Sequence, residues 1–190
     1  MEYGQAIPFE SFETKAVVEH DDFWTVTGFA SVFGNRDLGG DVVVEGAFKK
    51  SLAQYGLPAI LWNHKMDEPP LGNVVDAKET KRGLWVKCEL PTSDTFVAGR
   101  VIPQIKKRGL RGMSIGYKVI EKEQRKEARY LKQIHLYEVS VVNCPMNPLA
   151  EIESVKSFDP DQLDVVERAL EEFEEVTREM RSLACRVRGR

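Results

Sequence analysis

Alternating apolar and polar positions predict most of this chain as short β-strands. Residues 24–33 (WTVTGFASVF) alternate over their length, and Gly28 inside them indicates a bulge. Residues 84–90 place their apolar side chains on one face and Lys87 and Glu89 on the other, so they pair with residues 72–77 as a hairpin. Further strands are predicted at 59–62, 113–120, 130–142 and 150–155, and residues 14–19 are a candidate for a first strand.

Two short helices interrupt these strands, and together the elements predict a fold class. One helix begins near residue 46 and ends near Gly56. The other covers about 95–108, with Asp94 as part of its N-terminal cap and Gly109 as its stop. Six or seven strands with only two helices among them predict a mainly β (α+β) fold, a closed or nearly closed antiparallel β-barrel.

The pattern changes at Asp159-Pro160, where a long helix is predicted to begin. Its apolar residues step by three and four to about residue 186, which makes a narrow seam between glutamate-rich faces. We therefore divide the chain into a β-barrel domain, 1–158, and a C-terminal amphipathic helix, 159–190. The seam fits two arrangements: packing on the chain's own barrel, or packing on a partner helix or a second copy of the chain.

Composition and charge exclude several classes of function. A formal net charge of -3 provides no long-range attraction to nucleic acid. No apolar run approaches the roughly 18 residues that cross a bilayer, and the N-terminus lacks a secretory signal, so we expect a cytoplasmic protein. The three cysteines and three histidines are scattered, with no CxxC pair and no HExxH. We predict no disulfide framework, no metal site and no cofactor.

The candidate nucleophile is Ser114, which lies between Gly112 and Gly116 at the start of a predicted strand. Glycine is unfavourable inside a strand, so two of them around one serine need a reason. One reason is open access for a substrate to a reactive hydroxyl. The other is a tight barrel corner in which the serine only fills space.

A serine nucleophile needs a base and a group that orients the base. His64 is the best-placed histidine, because a buried strand opens into a loop there, whereas His135 lies in a strand and could be a core residue. Glu138 is a carboxylate in the apolar stretch LYEVSVV, with Ser140 on the same face. The alternative for Glu138 is a barrel-rim residue that bridges to Arg108 or Arg111.

Four blocks of sequence, in order, carry a resemblance to a known family. They are GFASVF with GDVV and GAF; LWNH at 61–64; RGMSIGY at 111–117; and LYEVSVVN with the prolines that follow. With these blocks the chain resembles, over about residues 24–155, the prohead (capsid-maturation) proteases of tailed bacteriophages. Those serine peptidases are distantly related to herpesvirus assemblins, so the resemblance also implies an assemblin-like barrel.

The resemblance implies roles for particular residues. Ser114 would be the nucleophile, His64 the general base and Glu138 the third member of the triad. Assemblins use a second histidine in that third role, which leaves His135 as the rival of Glu138. For the oxyanion we expect backbone N–H groups, with Arg111 and Gly112 as the candidates.

The resemblance also implies a biological role. The protein would cut the scaffold or scaffold-like segment of the major capsid protein, and itself, inside the immature capsid in the host cytoplasm. Its partners would be that capsid protein or a separate scaffold protein, and a second copy of the chain in a homodimer. The alternatives are a non-catalytic capsid-assembly or scaffold-binding protein on the same barrel, a hydrolase of esters or small amides, and a cysteine nucleophile at Cys144.

Overall fold

The computed structural model describes residues 23–157, which form an eight-stranded sheet with short helices against it. The strand order is β2-β7-β3-β4-β5-β1-β8, and β6 pairs with β7. The elements in chain order are β1 Phe23–Val32, β2 Asp41–Val43, α1 Lys49–Tyr55, β3 Ala59–Trp62, β4 Gly72–Glu79, β5 Gly83–Pro91, a π-helical segment Val97–Val101, α2 Ile102–Lys106, β6 Gly112–Gln124, β7 Arg129–Val142 and β8 Ile152–Ser157.

The hairpin predicted from alternation forms as β4 and β5, which pair antiparallel. Every second residue of β5 from Leu84 to Leu90 is fully buried and belongs to the core shared by the sheet and helices. Cys88 is one of these residues, and burial raises the pKa of its thiol to about 12. Cys88 is therefore a core cysteine.

The 14-residue strand β7 is the element that positions the candidate site. β6 pairs with it antiparallel along most of its length, with Ser114 opposite Ser140. On the other edge of β7, β2 pairs in parallel with its first residues and β3 with its last residues, with Ala59 opposite Glu138. β3 and the start of β6 therefore lie on opposite sides of the same short segment of β7.

The prediction of a closed or nearly closed antiparallel barrel is correct only as a mainly β fold. The sheet is mixed, because β2 and β3 both pair with β7 in parallel, and it is not closed. The sequence of a short apolar strand is the same whether it pairs in parallel or antiparallel, so the pattern of apolar residues could not distinguish the two kinds of pairing. Between β6 and the segment before β8, the described chain has one bridge, from Gly112 to Glu151, and a hydrogen bond from Met113 N to Ala150 O (2.9 Å).

The second predicted helix is confirmed in place but differs in form. Asp94 caps it as expected, since its carboxylate accepts a hydrogen bond from Val97 N (2.9 Å). The π-helical segment that follows leads into Pro103, whose ring would crowd the carbonyl four residues earlier in a regular α-helix. Arg108, with φ of 62°, takes the left-handed conformation that ends the helix, rather than Gly109.

The candidate strand at 14–19 and the long helix predicted at 159–190 lie outside the described residues, as does the boundary at 158. Among residues 23–157, no helix is long and apolar enough to span a membrane. The same residues contain no cluster of three or more potential metal ligands.

Candidate active site

His64 is placed by a tight turn at the end of β3. Asn63 and His64 both have left-handed backbone conformations, with φ of 47° and 60°, which are unfavourable for residues other than glycine. The Asn63 N–H donates to Val141 O (3.0 Å) and the Lys65 N–H donates to Trp62 O (3.0 Å). The first bond holds the turn against β7 and the second closes the turn on β3, and the imidazole lies beside the carboxylate on β7.

Glu138 is the carboxylate that His64 meets, and it is only 2% exposed. The imidazole Nδ1 and Glu138 Oε1 are 2.6 Å apart. An ionised carboxylate can only accept hydrogen bonds, so Nδ1 carries the hydrogen and Nε2 is left as the acceptor. This is the tautomer that a general base requires.

Electrostatics at this pair favour the protonated imidazole. The hydrogen bond to Glu138 raises the pKa of His64 above its ordinary value of 6.5, burial opposes the shift, and the negative charge of Glu138 adds to it. The imidazole side chain remains 44% exposed, so it is accessible from solvent. The arrangement stabilises the imidazolium that forms when a base takes a proton.

The position of Gly116, two residues after Ser114, requires a residue without a side chain. It lies directly opposite Glu138 in the β6–β7 pairing, and a Cβ added there would be 2.3 Å from Glu138 Oε1. At Gly112 an added Cβ would lie 2.7 Å from Val142 O and 2.8 Å from Pro145 Cδ. The expected space for a substrate at these two glycines is therefore filled by the protein itself, because the carboxylate and the neighbouring backbone occupy it.

Ser114 shares a cavity with His64. The serine is 6% exposed, and the cavity has a volume of about 180 Å³. Among the described residues no hydrogen bond joins its Oγ to the imidazole, although both side chains line the one cavity. The cavity is lined by Ala30, Ser31, Asp37, Asp41, Val43, His64, Ser114, Ile115, Tyr117, Met146 and Asn147.

His135, the rival third member, does not meet His64 in the structure. Its ring stacks on Tyr55 with centroids 3.9 Å apart and packs against Tyr137 at 4.5 Å. Glu138 alone of the two candidates contacts the imidazole of His64.

Comparison with known proteins shows the family of this chain. Residues 10–164 match the family model described as the caudovirus prohead serine protease. The chain belongs to this family. The match covers most of the sequence, and it confirms the resemblance seen in the four sequence blocks.

Two curated relatives are prohead proteases of phages. The one from Enterobacteria phage HK97 is 35% identical over 136 residues, which is 70% of this chain and 60% of that protein. The one from Escherichia phage T5 is 31% identical over 138 residues, 70% of this chain and 63% of that protein. The chain thus spans about three fifths of the length of these two relatives.

One further relative and one solved structure are also similar to the chain. The capsid polyprotein of Pseudomonas phage PAJU2 is 34% identical over 162 residues, which is 81% of this chain but 23% of that protein. Among solved structures, the KSHV protease in complex with a hexapeptide phosphonate inhibitor has a TM-score of 0.47 at 13% identity, covering 72% of this chain and 65% of that one.

Arg108 and Arg111, the alternative partners of Glu138, face a different carboxylate. Arg111 and Arg108 both face Glu151, at 3.4 and 3.8 Å, so neither pairs with Glu138. Neither Arg111 nor Gly112 lines the cavity that contains Ser114. Their backbone N–H groups as oxyanion donors stay a prediction.

The sequence analysis missed a second buried carboxylate in the cavity wall. Asp41 is 5% exposed and accepts hydrogen bonds from Arg129 Nε (2.6 Å) and Nη2 (2.5 Å) and from the Tyr117 hydroxyl (3.0 Å). Burial opposes ionisation, but these bonds outweigh it and lower the pKa of Asp41. The signal was present in the sequence, because Asp41 precedes an apolar segment just as Glu138 interrupts one. Cys144, the rival nucleophile, is exposed and does not line the cavity.

Proposed function

We propose that this chain is a serine endopeptidase with Ser114 as nucleophile, His64 as general base and Glu138 as the residue that orients the base. The observation that carries the proposal is the 2.6 Å contact between His64 Nδ1 and Glu138 Oε1 in a histidine that lines the same cavity as Ser114. Membership of the prohead serine protease family supports it.

The mechanism follows from the direction of the hydrogen bonds. His64 Nε2 takes the proton of Ser114 as Oγ attacks a peptide carbonyl, and Glu138 stabilises the resulting imidazolium. The tetrahedral oxyanion collapses as His64 gives its proton to the leaving amine, which leaves an acyl-enzyme. Water then hydrolyses the acyl-enzyme with His64 again as base. The oxyanion needs backbone donors, for which Arg111 and Gly112 are the sequence-based candidates.

The substrate that we propose is the scaffold or scaffold-like segment of the major capsid protein, together with the protease chain itself. Cleavage would take place inside the immature capsid in the host cytoplasm. Two relatives are called prohead proteases, and a third is called a capsid polyprotein, which supports association with capsid protein. We further propose a homodimer, for which the apolar seam predicted at 159–190 is the candidate interface.

The test is cleavage of the cognate capsid or scaffold protein by the purified chain, with labelling by a fluorophosphonate in parallel. Ser114→Ala should lower the rate by roughly 10⁴- to 10⁶-fold and abolish labelling, because it removes the nucleophile. Cys144→Ala should leave both unchanged. Near-normal cleavage by Ser114→Ala would reject the mechanism. Absence of both cleavage and labelling in the unmodified chain would favour the non-catalytic assembly protein.

A further inference from the structure

Ser140 joins the two halves of the His64–Glu138 pair through one buried hydroxyl. It is fully buried on β7, opposite Ser114 on one side and opposite Leu61 of β3 on the other. Its Oγ accepts a hydrogen bond from the backbone N–H of His64 (3.0 Å) and lies 2.5 Å from Glu138 Oε2. The same oxygen therefore contacts the backbone of the base and the carboxylate that orients the base.

The direction of both bonds is fixed by chemistry. A backbone N–H can only donate, so Ser140 Oγ is the acceptor in its bond to His64. Its single hydrogen is then free to point only at Glu138 Oε2, which accepts it. With Oε2 occupied in this way, Oε1 is the oxygen that accepts from His64 Nδ1 at 2.6 Å. Two bonds therefore converge on the Glu138 carboxylate, one from Ser140 Oγ and one from His64 Nδ1, and together they set its orientation.

The bond to the His64 backbone also supports an unfavourable conformation. Two consecutive residues with left-handed φ cost free energy and persist only where the surroundings hold them. Asn63 is held through its own N–H on Val141 O (3.0 Å), and its Oδ1 accepts from Asn143 N (3.3 Å). For His64 the backbone N–H is held by Ser140 Oγ. The hydroxyl thus fixes where the ring begins as well as where the carboxylate points.

We propose that Ser140 is the positioning residue of the relay, since its one buried hydroxyl sets both the His64 turn and the orientation of Glu138. The proposal rests on the triad proposed above. It extends the role of the serine beyond sharing a face with Glu138, because it assigns the position of the catalytic base and the orientation of its carboxylate partner to a side chain that does not itself line the cavity of Ser114 and His64.

Ser51 provides a matched control, because it is another buried serine that contacts β7. It is 4% exposed, and its Oγ accepts a hydrogen bond from Leu136 N of β7 (2.9 Å), so Ser51→Ala also leaves a buried backbone N–H without its serine acceptor. Among the described residues no hydrogen bond joins Ser51 to Ser114, His64 or Glu138. A purely structural role for Ser140 predicts that the two alanine variants behave alike in activity once both are folded.

The experiment compares Ser140→Ala and Ser51→Ala in peptide cleavage, with kcat and KM measured across pH and the His64 Nδ1 proton followed by NMR. We expect Ser140→Ala to lower kcat by roughly 10- to 100-fold with KM within about twofold, by analogy with the loss of a hydrogen-bond partner that orients a metal-binding histidine. We also expect the Nδ1 resonance and the acid limb of the pH profile to move. Ser51→Ala should change none of these.

Two further variants keep the test decisive. In a Glu138→Gln background, Ser140→Ala should cost less than it does alone, because part of its effect passes through Glu138. If Ser140→Ala does not fold, Ser140→Cys, which keeps a weaker donor, should fold with a kcat between those of the unmodified chain and Glu138→Gln. A kcat, resonance and pH profile that match the unmodified chain in the folded Ser140 variant would overturn the proposal. An equal loss in Ser51→Ala would do the same.

The experiments distinguish failure of the proposed function from failure of the proposed role of Ser140. Ser114→Ala that still cleaves would reject the proposed function. Ser114→Ala that is inactive, beside a fully active Ser140 variant, would reject only the role of Ser140.

Discussion

Replacement of Glu138 by glutamine is the sharpest test of the proposed relay, because it changes charge and hydrogen-bond direction at nearly constant volume. In the structure the carboxylate accepts on both oxygens, from Ser140 Oγ (2.5 Å) and from His64 Nδ1 (2.6 Å). A glutamine has only one acceptor oxygen. Since Ser140 Oγ already accepts from the His64 backbone N–H, its own hydrogen needs an acceptor. We therefore expect the glutamine oxygen to face Ser140 and the amide NH2 to face His64.

The consequence for His64 is a change of tautomer. An NH2 group opposite Nδ1 requires Nδ1 to accept, which moves the ring hydrogen to Nε2, and a protonated Nε2 cannot act as the base. The comparable change of a triad carboxylate to an amide lowers kcat by about 10⁴-fold, or about 5 kcal/mol of activation free energy. We expect Glu138→Gln to lose activity on that scale.

The pH profile adds a second measurement with a definite sign. The base must be neutral, and the pKa of His64 is raised above 6.5 by its bond to Glu138, so activity of the unmodified chain should fall with decreasing pH while still above 6.5. In Glu138→Gln the acid limb of residual kcat/KM should move to lower pH. Asp37 and Asp41 line the cavity in both proteins, so their charges do not account for a difference.

The same shift has a consequence for stability. A raised pKa in the folded state means that the protonated imidazole is the form favoured by folding. The stabilisation should be complete below the unfolded-state pKa and lost as pH rises through the folded-state value. The difference in Tm between the unmodified chain and Glu138→Gln should contain this contribution below about pH 6.5 and lose it at higher pH.

The control for these measurements is Glu153→Gln, at an exposed glutamate 2.7 Å from Arg82 on the surface. It loses one carboxylate charge of the same type and should leave kcat and the acid limb unchanged. The reasoning is refuted if Glu138→Gln keeps activity within about tenfold of the unmodified chain, or if its acid limb does not move.

Three other predictions follow from the packing around the site. Gly116→Ala should lower kcat by roughly 10²-fold or more in the cleavage assay. The added Cβ would lie 2.3 Å from Glu138 Oε1, so the carboxylate would have to move away from its present position. Asp41→Asn should reduce the free energy of unfolding in urea by roughly 1–3 kcal/mol, as Arg129 loses its ionic partner, and the loss should shrink as acid protonates Asp41 through its lowered pKa. Cys88 should resist alkylation in the native protein and react after unfolding, which mass spectrometry of its peptide would show.

Much of the fold follows from local patterns, and its departures have physical causes. The burial of every second residue in β5 is a direct result of alternation, and the cap at Asp94 results from local hydrogen-bond chemistry. The parallel pairing of β3 with β7 depends on a long-range choice that no local pattern records. The sheet therefore turned out mixed where an antiparallel barrel was predicted.

A residue of the site could be predicted from the sequence where its type is unusual for a buried segment. Glu138 could be singled out because a carboxylate in an apolar strand needs a partner, and the structure gives it His64 as that partner. The same reasoning applies to Asp41, which was overlooked because only three apolar residues follow it before Glu45. Ser140 has no such signal, since a serine in a strand has no charge and is commonly a filler.

Gly116 shows most clearly how sequence and geometry differ in what they reveal. The sequence indicated that a side chain is unfavourable two residues after Ser114, but it did not indicate which group occupies the space that the side chain would fill. In the structure the avoided volume belongs to Glu138, because the β6–β7 register sets residue 116 opposite residue 138. Ser114 and Gly116 are two residues apart on the same strand face, and their partners Ser140 and Glu138 are two apart on β7. The pairing of two strands thus places the proposed nucleophile, the proposed orienting carboxylate and Ser140 next to one another. Only His64 is brought in from elsewhere, by the turn after β3 with its left-handed backbone.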